Sequence, residues 1–282
     1  MKYNILLIDG PYLAHRSRGA PYRLTTSTGL NATTVHNFMR SLLAVYKKFQ
    51  PRTVAVCWES HGTPSWRREL YGDYKPAGTI EADFLDECND IRILLHLLKI
   101  KQFYAPKNEA DDVICTLATN YAKSESVLIF TKDKDMMQLI NSDFPPMHMY
   151  DGKEVIDEMK VYKKFGVFPY QICDYLSLTG DKVDNVPGVT GIGEKKAVAL
   201  LKEYDNIEAI PSDKFPNGNE SFAEAMRAKK LITLNCEAQV KSIFGSNITF
   251  QQTIDTILDK YELESIKKDI DKYQAIGAKQ WL

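Results

Sequence analysis

Acidic residues recur at intervals through the first two thirds of the sequence, and several of them follow apolar runs. Carboxylate oxygens without a convergent set of His or Cys residues favour Mg²⁺ or Mn²⁺. Two such ions about 4 Å apart would activate a water molecule and stabilise the leaving oxygen of a phosphodiester. The nine candidates for such a site are Asp9, Glu59, Glu109, Asp111, Asp112, Asp133, Asp135, Asp181 and Asp184.

The charge balance is consistent with this chemistry. The formal net charge of −1 at first argues against a nucleic-acid partner. Without the nine candidate acids, however, the rest of the chain carries +8. A concentrated negative site on an otherwise basic protein is typical of a metal-dependent nuclease.

A Gly-rich segment from Leu178 to Leu201 offers a second kind of chemistry. It combines the acids at 181 and 184 with residues that predict a tight hairpin, because Gly tolerates positive φ and Pro fixes φ. A helix should then begin near Glu194, with two lysines in its first turn, where basic side chains oppose the helix dipole. Free N–H groups beside two ammonium groups suit a phosphate. The residues concerned are Pro187, Gly188, Gly191, Gly193, Lys195 and Lys196.

The elements that would position these residues follow a repeating pattern. Short apolar runs at 4–8, 53–58 and 127–130 predict buried strands, and acids follow each of them. Helical periodicity separates the runs at about 31–49, 82–98 and 109–122. Strand–helix units of this kind predict an α/β fold with a parallel sheet flanked by helices, followed by a helical region after about residue 165. Ligands bind at the carboxyl ends of such strands, so the acids should converge there.

Each acid taken alone has a simpler explanation. An Asp at the end of a strand commonly caps a turn, and Glu109 and Asp112 could compensate a helix dipole while sharing one helix face. Likewise, Lys195 and Lys196 could be an ordinary exposed helix start. The joint placement of the acids on one sheet edge favours a metal site. The residues by themselves therefore indicate a metal-dependent phosphodiesterase or phosphatase.

The composition narrows the class of protein further. At 282 residues and 44% hydrophobic, the chain can bury a large core. It has neither the ~20-residue apolar stretch of a membrane span nor a signal peptide, so a cytoplasmic protein without membrane contact is expected. Five cysteines without a CxxC motif predict reduced, mostly buried thiols. The scattered histidines argue against zinc.

The motifs, read as a set, resemble the flap endonuclease (structure-specific 5′-nuclease) family, which includes the 5′-nuclease domains of bacterial DNA polymerase I and stand-alone phage enzymes. The resemblance covers about residues 4–205. It implies a PIN-like catalytic domain at 1–165 and a helical DNA-binding region at 166–282, with a helix–hairpin–helix motif at 171–204. The matching segments are 8–16, 66–67 with 74–75, 109–112, 131–135 and 178–201.

The resemblance also implies roles for individual residues. The protein would bind two or three Mg²⁺ ions, which Mn²⁺ could replace. The first set of metal ligands would be Asp9, Glu59, Glu109 and Asp111. The second set would be Asp133, Asp135 and Asp184. Asp112 and Asp181 would border both sets. Asp9, Asp133 and Asp135 count as catalytic, together with Lys75, which would polarise the scissile phosphate, and Arg16 nearby. Backbone carbonyls of Val186, Val189 and Ile192 would hold K⁺. The implied DNA contacts are Arg67, Gly188, Gly191, Gly193, Lys195 and Lys196.

The implied function is that of a monomeric 5′-3′ exonuclease and flap endonuclease. It would cut duplex or flap DNA, and RNA in RNA–DNA hybrids, without sequence preference, and it would leave 5′-phosphate and 3′-hydroxyl ends. This activity would serve primer or flap removal, in which other replication proteins also take part. The chain departs from the family pattern at Glu59, where Asp is usual. It also lacks the Arg expected three residues after Lys75, and its segment 76–82 is too short for a long threading arch.

Three other functions fit parts of the pattern. A PIN-type ribonuclease or a small-molecule phosphohydrolase would share the sheet, but both lack the Gly-rich hairpin with its lysines. A non-catalytic, structure-specific DNA-binding protein would keep the hairpin with vestigial acids. In that case several carboxylates should have been lost, whereas only Glu59 departs from the expected type.

Overall fold

The structure is a computed structural model that describes residues 2–60, 63–75, 81–244 and 251–278. Residues 76–80, which form most of the short segment expected in place of a threading arch, lie outside the described residues. The expectation about that arch therefore stays a prediction.

A mixed sheet of seven strands organises the described residues, in the order β6-β5-β4-β1-β2-β3-β7. The five central strands are parallel, and the two edge strands, β6 and β7, pair antiparallel with their neighbours. The predicted α/β sheet is confirmed. The antiparallel edge strands were not predicted, because strands of two residues are too short to show a sequence pattern. The strands are β1 (Ile5–Asp9), β2 (Thr53–Cys57), β3 (Lys101–Tyr104), β4 (Val127–Phe130), β5 (Met147–Tyr150), β6 (Val155–Ile156) and β7 (Lys241–Ser242).

Strand β1 lies at the centre of the sheet, between β2 and β4. Every residue of these three strands is buried, which explains their continuous apolar runs. The chain adds β2 and β3 on one side of β1 and then returns to place β4 and β5 on the other side. The topological switch point therefore lies between β1 and β4, where open α/β sheets form their ligand crevice. Asp9 is the last residue of β1 and marks this point.

Helices cover both faces of the sheet. The helices predicted at about 31–49, 82–98 and 109–122 are confirmed as α2, α4 and α5. None of the described helices is long and apolar enough to cross a lipid bilayer. The helices are α1 (Gly10–Arg18), α2 (Thr33–Phe49), α3 (Trp66–Leu70), α4 (Ala82–Leu97), α5 (Ala110–Tyr121), α6 (Glu158–Phe165), α7 (Ile172–Thr179), α8 (Glu194–Tyr204), α9 (Asn219–Ile232), α10 (Ile254–Lys260), α11 (Glu264–Lys267) and α12 (Ile270–Ala278).

The chain is packed in two layers, one on each face of the sheet. Buried residues of α5, α7, α8 and α9 form one apolar layer, whereas α1, α2, α4 and the C-terminal helices form the other. The buried Tyr273 hydroxyl of α12 donates a 3.0 Å hydrogen bond to the Met39 carbonyl of α2. Similarly, the Tyr261 hydroxyl donates to Asp90 of α4 at 2.7 Å. The last helices thus return to the part of the chain that carries the strands.

The Gly-rich segment forms the expected turn between α7 and α8. Gly180 ends α7 with φ 81°, which favours glycine. Asp181 and Val186 then exchange two backbone hydrogen bonds of 2.8 Å. Gly188 packs directly on the end of α7, because a Cβ there would lie 2.4 Å from the carbonyl carbon of Thr179. Backbone contact, and not only turn geometry, therefore requires glycine at this position.

The cysteines differ in part from the expectation of free thiols. Cys57, Cys88 and Cys173 are free and buried, but Cys115 of α5 and Cys236 form a disulfide. The fold brings the segment after α9 onto α5, although the two cysteines are separated by 121 positions in the sequence. Nothing in the spacing of the cysteines could indicate this pairing.

We predict that Gly188→Ala destabilises the protein by about 1–3 kcal/mol, because an added Cβ would overlap backbone that cannot move away. Chemical denaturation measures the change. Gly193→Ala is the matched control, since a Cβ at Gly193 would have no atom within 4 Å. Equal stability of the two variants would contradict the packing role assigned to Gly188.

Candidate active site

The carboxyl edge of the central strands opens into a cleft of about 510 Å³. Acids from β1, from the segments after β2 and β4, from the start of α5 and from the hairpin all line it. Seven of the nine predicted carboxylates meet here, which are Asp9, Glu59, Glu109, Asp111, Asp133, Asp181 and Asp184.

Asp9 lies at the base of the site with only 5% of its surface exposed. Its carboxylate accepts hydrogen bonds from the Tyr12 backbone N–H at 3.0 Å and from the Thr131 hydroxyl at 2.7 Å. Burial raises the pKa of Asp9 to about 6, although these two hydrogen bonds oppose the change. A nearby cation would therefore favour the ionised form of this side chain.

Asp135, Asp181 and Asp184 form the tightest acidic group, with one oxygen of each within 4.8 Å of the others. All three side chains are buried. Oδ1 of Asp135 has no hydrogen-bond partner among the described residues. Burial and the charge of Asp133 hold the pKa of Asp135 well above its usual range. A buried, unpartnered carboxylate oxygen beside two further carboxylates fits a hard divalent cation.

The start of α5 presents its acids differently from the prediction. Glu109 and Asp111 line the cleft, whereas Asp112 does not. Glu109 is the N-cap residue and has extended backbone, with φ −84° and ψ 167°. The helical spacing that predicted one face for Glu109 and Asp112 therefore does not apply. Burial and the charge of Asp133 raise the pKa of Asp111 well above its usual range.

Asp112 and Arg67 form a buried ion pair away from the cleft. The Arg67 guanidinium donates to both oxygens of Asp112, at 2.7 and 2.8 Å, and the two residues are 2% and 0% exposed. Arg67 also donates to the Leu231 carbonyl at 2.7 Å, and Asp112 accepts from the Asn235 N–H at 2.9 Å. The structure thus corrects two expectations. Asp112 has no free oxygen for a metal, and Arg67 is not accessible to DNA.

Lys75 places a positive charge inside the acidic cleft. Its Nζ lies 2.9 Å from Glu109 Oε2 and 3.4 Å from Asp184 Oδ2. Burial alone would lower the pKa of Lys75, but the surrounding carboxylates of Asp111 and Glu109 outweigh it and raise the pKa. The side chain therefore stays cationic. Its backbone, in the left-handed region with φ 41°, donates to the Asp184 carbonyl at 3.0 Å.

Glu59 and Arg16 are the two exposed residues among the predicted metal ligands and catalytic residues. Glu59 lines the cleft on the β2 side. Arg16 instead lies over the Phe130 ring, with its guanidinium carbon 5.6 Å from the ring centroid. It is not among the described residues that line the cleft. The structure therefore brings Glu59 to the acids and leaves Arg16 outside the group.

Four functional side chains were not identified from the sequence. The Tyr74 hydroxyl lies 3.0 Å from Asp184 Oδ2 and 3.2 Å from Glu109 Oε2. Lys132, Lys134 and Lys164 line the cleft, and Lys134 Nζ lies 2.9 Å from Asp181. The alternation of Lys and Asp in 131–135 could have indicated the first two lysines. Lys164 gives no such signal, because it lies in a lysine-containing helix of ordinary composition.

The hairpin presents its phosphate-type features to solvent. Gly191, Gly193, Lys195 and Lys196 are exposed, as a backbone and ammonium surface for phosphate requires. The carbonyls of the predicted K⁺ site lie inside the turn. Val186 O and Val189 O each accept a backbone hydrogen bond, of 2.8 and 3.0 Å.

Comparison with known proteins identifies the family. One family model, the 5′-3′ exonuclease N-terminal resolvase-like domain, matches residues 4–166, and a second, the 5′-3′ exonuclease C-terminal SAM fold, matches residues 167–275. The chain belongs to the 5′-3′ exonuclease family. The resemblance inferred from the motifs is confirmed, and the match extends beyond residue 205, where those motifs end.

Individual relatives agree with this family. A 5′-3′ exonuclease of Mycoplasmopsis pulmonis (strain UAB CTIP) is 30% identical over 284 residues, which cover 95% of this chain and 93% of the relative. The thermostable DNA polymerase I of Thermus aquaticus is 40% identical over 212 residues, covering 74% of this chain and 25% of the polymerase. The second relative, a bacterial DNA polymerase I, is of a type that the resemblance named.

Solved structures show the same fold. The bacteriophage T5 flap endonuclease, in a pseudo-enzyme-product complex with DNA and metal ions, aligns with a TM-score of 0.64 at 17% identity. The alignment covers 98% of this chain and 99% of that chain. The expected PIN-like sheet followed by a helical region is therefore confirmed.

We predict that Arg67→Met costs about 3–5 kcal/mol of stability, because it leaves the Asp112 carboxylate buried without a counter-charge. Thermal or urea denaturation provides the measurement. Lys107→Met is the control, since Lys107 pairs with Glu69 at the surface, where such pairs contribute about 0–1 kcal/mol. If both variants lost the same small amount, Asp112 would not depend on Arg67 and could again be considered a metal ligand.

Proposed function

We propose that this member of the 5′-3′ exonuclease family is a Mg²⁺-dependent 5′-3′ exonuclease and flap endonuclease. It hydrolyses phosphodiester bonds of DNA, and of RNA in RNA–DNA hybrids, to leave 5′-phosphate and 3′-hydroxyl ends. One observation carries the proposal. Acids from separate parts of the chain meet in a cleft that also holds Lys75, and the hairpin that contributes two of them continues into exposed lysines.

The acids divide into two groups that would each hold a divalent ion. On the β4 side of the cleft, Asp181 and Asp184 lie beside the unpartnered oxygen of Asp135, and Asp133 would complete this group. On the other side, Asp9, Glu59, Glu109 and Asp111 form the second group. Carboxylates select Mg²⁺, and Mn²⁺ could replace it. Bound ions of this kind act as Lewis acids that activate water and stabilise charge on the leaving oxygen.

Lys75 and Tyr74 act on the substrate side of these acids. The Lys75 ammonium, which its carboxylate neighbours keep protonated, would contact an oxygen of the scissile phosphate and draw negative charge toward it. Burial raises the pKa of Tyr74, so its hydroxyl stays neutral and donates its single proton to Asp184 at 3.0 Å or to Glu109 at 3.2 Å. Lys75 would thus position the phosphate, and Tyr74 would position the acids.

The hairpin would hold the duplex without reading its sequence. Exposed backbone at Gly191 and Gly193, together with Lys195 and Lys196, contacts phosphates, which carry no base information. The carbonyls of Val186, Val189 and Ile192 would hold K⁺. A carbonyl oxygen has two lone pairs, so the hydrogen bond that Val186 O or Val189 O already accepts leaves one free for the cation.

In the cell, this activity would remove primers or flaps during replication. The 40% identity to the thermostable DNA polymerase I of Thermus aquaticus over 212 residues supports a role beside DNA synthesis. We propose that the protein works in the cytoplasm as a monomer, alongside other replication proteins. Arg16 and Glu59 would contact the strand and an ion, respectively, near the exposed edge of the site.

The first test of the proposal is Asp135→Asn. Loss of one buried carboxylate should lower flap cleavage by about 100- to 1,000-fold, because it removes a ligand worth several kcal/mol to the transition state. End-labelled flap DNA with Mg²⁺ and with EDTA measures cleavage, and product lengths give polarity. Binding of the same DNA should persist. Asp143→Asn, in an exposed loop, is the control, and full activity of Asp135→Asn would refute the metal assignment.

The second test concerns the hairpin lysines. A plot of the logarithm of the DNA-binding constant against the logarithm of salt concentration has a negative slope. In the double variant Lys195→Gln, Lys196→Gln this slope should be less steep by about 2, since each lysine releases about one counterion from duplex DNA. A titration in sodium chloride at constant potassium provides the slope. Lys202→Gln, in the last turn of the same helix, should leave the slope unchanged. An unchanged slope in the double variant would remove these lysines from the duplex contact.

A further inference from the structure

Next to the active-site cleft lies a second cavity of about 490 Å³, which we call the side pocket. Glu59 belongs to both cavities, so they share a wall. The side pocket lies toward β3 and β7, whereas the acids of the hairpin and of the segment after β4 lie on the other side of β1. Its lining residues are Glu59, Asn89, Arg92, Ile93, Tyr104, Ile243 and Phe244.

Arg92 is an unusual residue in this pocket, because its guanidinium is buried and no described acidic residue pairs with it. Only 6% of its surface is exposed, and Nε has no hydrogen-bond partner among the described residues. Nη1 donates a long hydrogen bond of 3.3 Å to Asn89 Oδ1. The guanidinium carbon lies 4.4 Å from the Trp58 ring centroid. In the part of the chain that the structure describes, Arg92 forms no salt bridge, unlike buried Arg67.

Burying an unpaired charge is costly, because the charge loses its hydration without a compensating partner. Burial indeed lowers the pKa of Arg92, and Cys88 and Glu59 offset this only in part. An arginine nevertheless stays charged at neutral pH. Its stacking on Trp58 holds the planar group in one orientation. A fixed guanidinium with a free donor, at the wall of a cavity, is suited to an anion that arrives from outside.

The other walls of the side pocket indicate which anion it would take. Tyr104 and Phe244 provide aromatic surface, and Ile93 and Ile243 provide apolar surface. Free phosphate or a small carboxylate would bind the guanidinium but would make little contact with these aromatic and apolar walls. A nucleotide presents a phosphate to the guanidinium and a flat base to the aromatic rings, as in single-strand binding sites. Asn89 could donate or accept a further hydrogen bond.

We propose that the side pocket binds one nucleotide of the strand that is cut, on the 5′ side of the scissile bond. The proposal rests on the proposed function. If the hairpin keeps the duplex on the β4 side of the cleft, the part to be released must leave past Glu59, toward Arg92. Arg92 is then a positioning residue for the released strand, with its phosphate as the missing counter-ion.

The test compares binding and stability in the same variants. The probe is a fluorescent 5′-flap DNA duplex, bound in Ca²⁺ so that it is not cut. Arg92→Met should weaken binding about 10- to 100-fold, the usual effect of losing a hydrogen bond to a charged group. Arg92→Lys should weaken it less. Arg40→Met, which loses an exposed pair with Asp269, is the control and should bind like the parent.

Replacing one phosphate at a time with an uncharged methylphosphonate identifies the phosphate that Arg92 contacts. In a series of flap duplexes, each with one methylphosphonate on the 5′ side of the cut, the substitution should weaken binding by the parent enzyme at a single position. At that position Arg92→Met should cause no further loss, because the partner of the guanidinium is already gone. A purely structural Arg92 would give the opposite pattern: Arg92→Met would lower the melting temperature of the free enzyme while binding stayed unchanged, and no linkage position would differ.

The two proposals fail in distinguishable ways. If the parent enzyme does not cleave flap DNA with Mg²⁺, the proposed function is wrong. If it cleaves, but Arg92→Met binds every probe as the parent does, only the side pocket is wrong. An equal loss for Arg92→Met on all methylphosphonate probes would also overturn the assignment. In that case the variant would perturb the site without losing a particular phosphate contact.

Discussion

Mutual repulsion of carboxylates at one sheet edge is the constraint on which this structure depends. Two unit charges 4 Å apart repel by about 1–4 kcal/mol, depending on the effective dielectric constant. Burial raises the pKa values of Asp9, Asp111, Asp135 and Asp184, and the charge of the neighbouring Asp133 raises them further. Sites of this kind are usually functional, because folding alone would not select them. The rest of the fold must hold these oxygens together against their charge.

Two lysines and the hairpin provide part of the opposing force. Lys75 and Lys134 place ammonium groups within 2.9 Å of Glu109 and Asp181, respectively. The backbone around Lys75 is tied to the hairpin, since its N–H donates to the Asp184 carbonyl and Asn185 donates to the Asp73 carbonyl at 2.9 Å. Because the hairpin also supplies Asp181 and Asp184 to the cleft, any movement of the hairpin would be transmitted to the acids themselves.

The amino-acid pattern is sufficient for features that depend on local sequence. Buried runs ending in acids predict β1, β2 and β4, and they place Asp9 and Asp133 on one edge of the sheet. The pattern is insufficient where tertiary contacts decide the role of a residue. Arg67 and Arg92 are both arginines in helices, yet one is buried against Asp112 and the other against Trp58, with no salt bridge among the described residues. Asp111 lines the cleft as the resemblance implied, whereas Asp112, which was expected to border the metals, is paired with Arg67.

The return of the last helices to the sheet has a consequence for how the molecule folds. The two family models divide the chain between residues 166 and 167. However, the hydroxyls of Tyr261 and Tyr273, near the C-terminus, donate hydrogen bonds to residues of α4 and α2, respectively. The boundary between the models is therefore not a boundary between autonomous folding units. Part of the apolar surface of the first strands and helices becomes buried only when the C-terminal helices pack against it. During synthesis the sheet that carries the active-site acids would thus gain its full apolar cover late, after these last helices have left the ribosome.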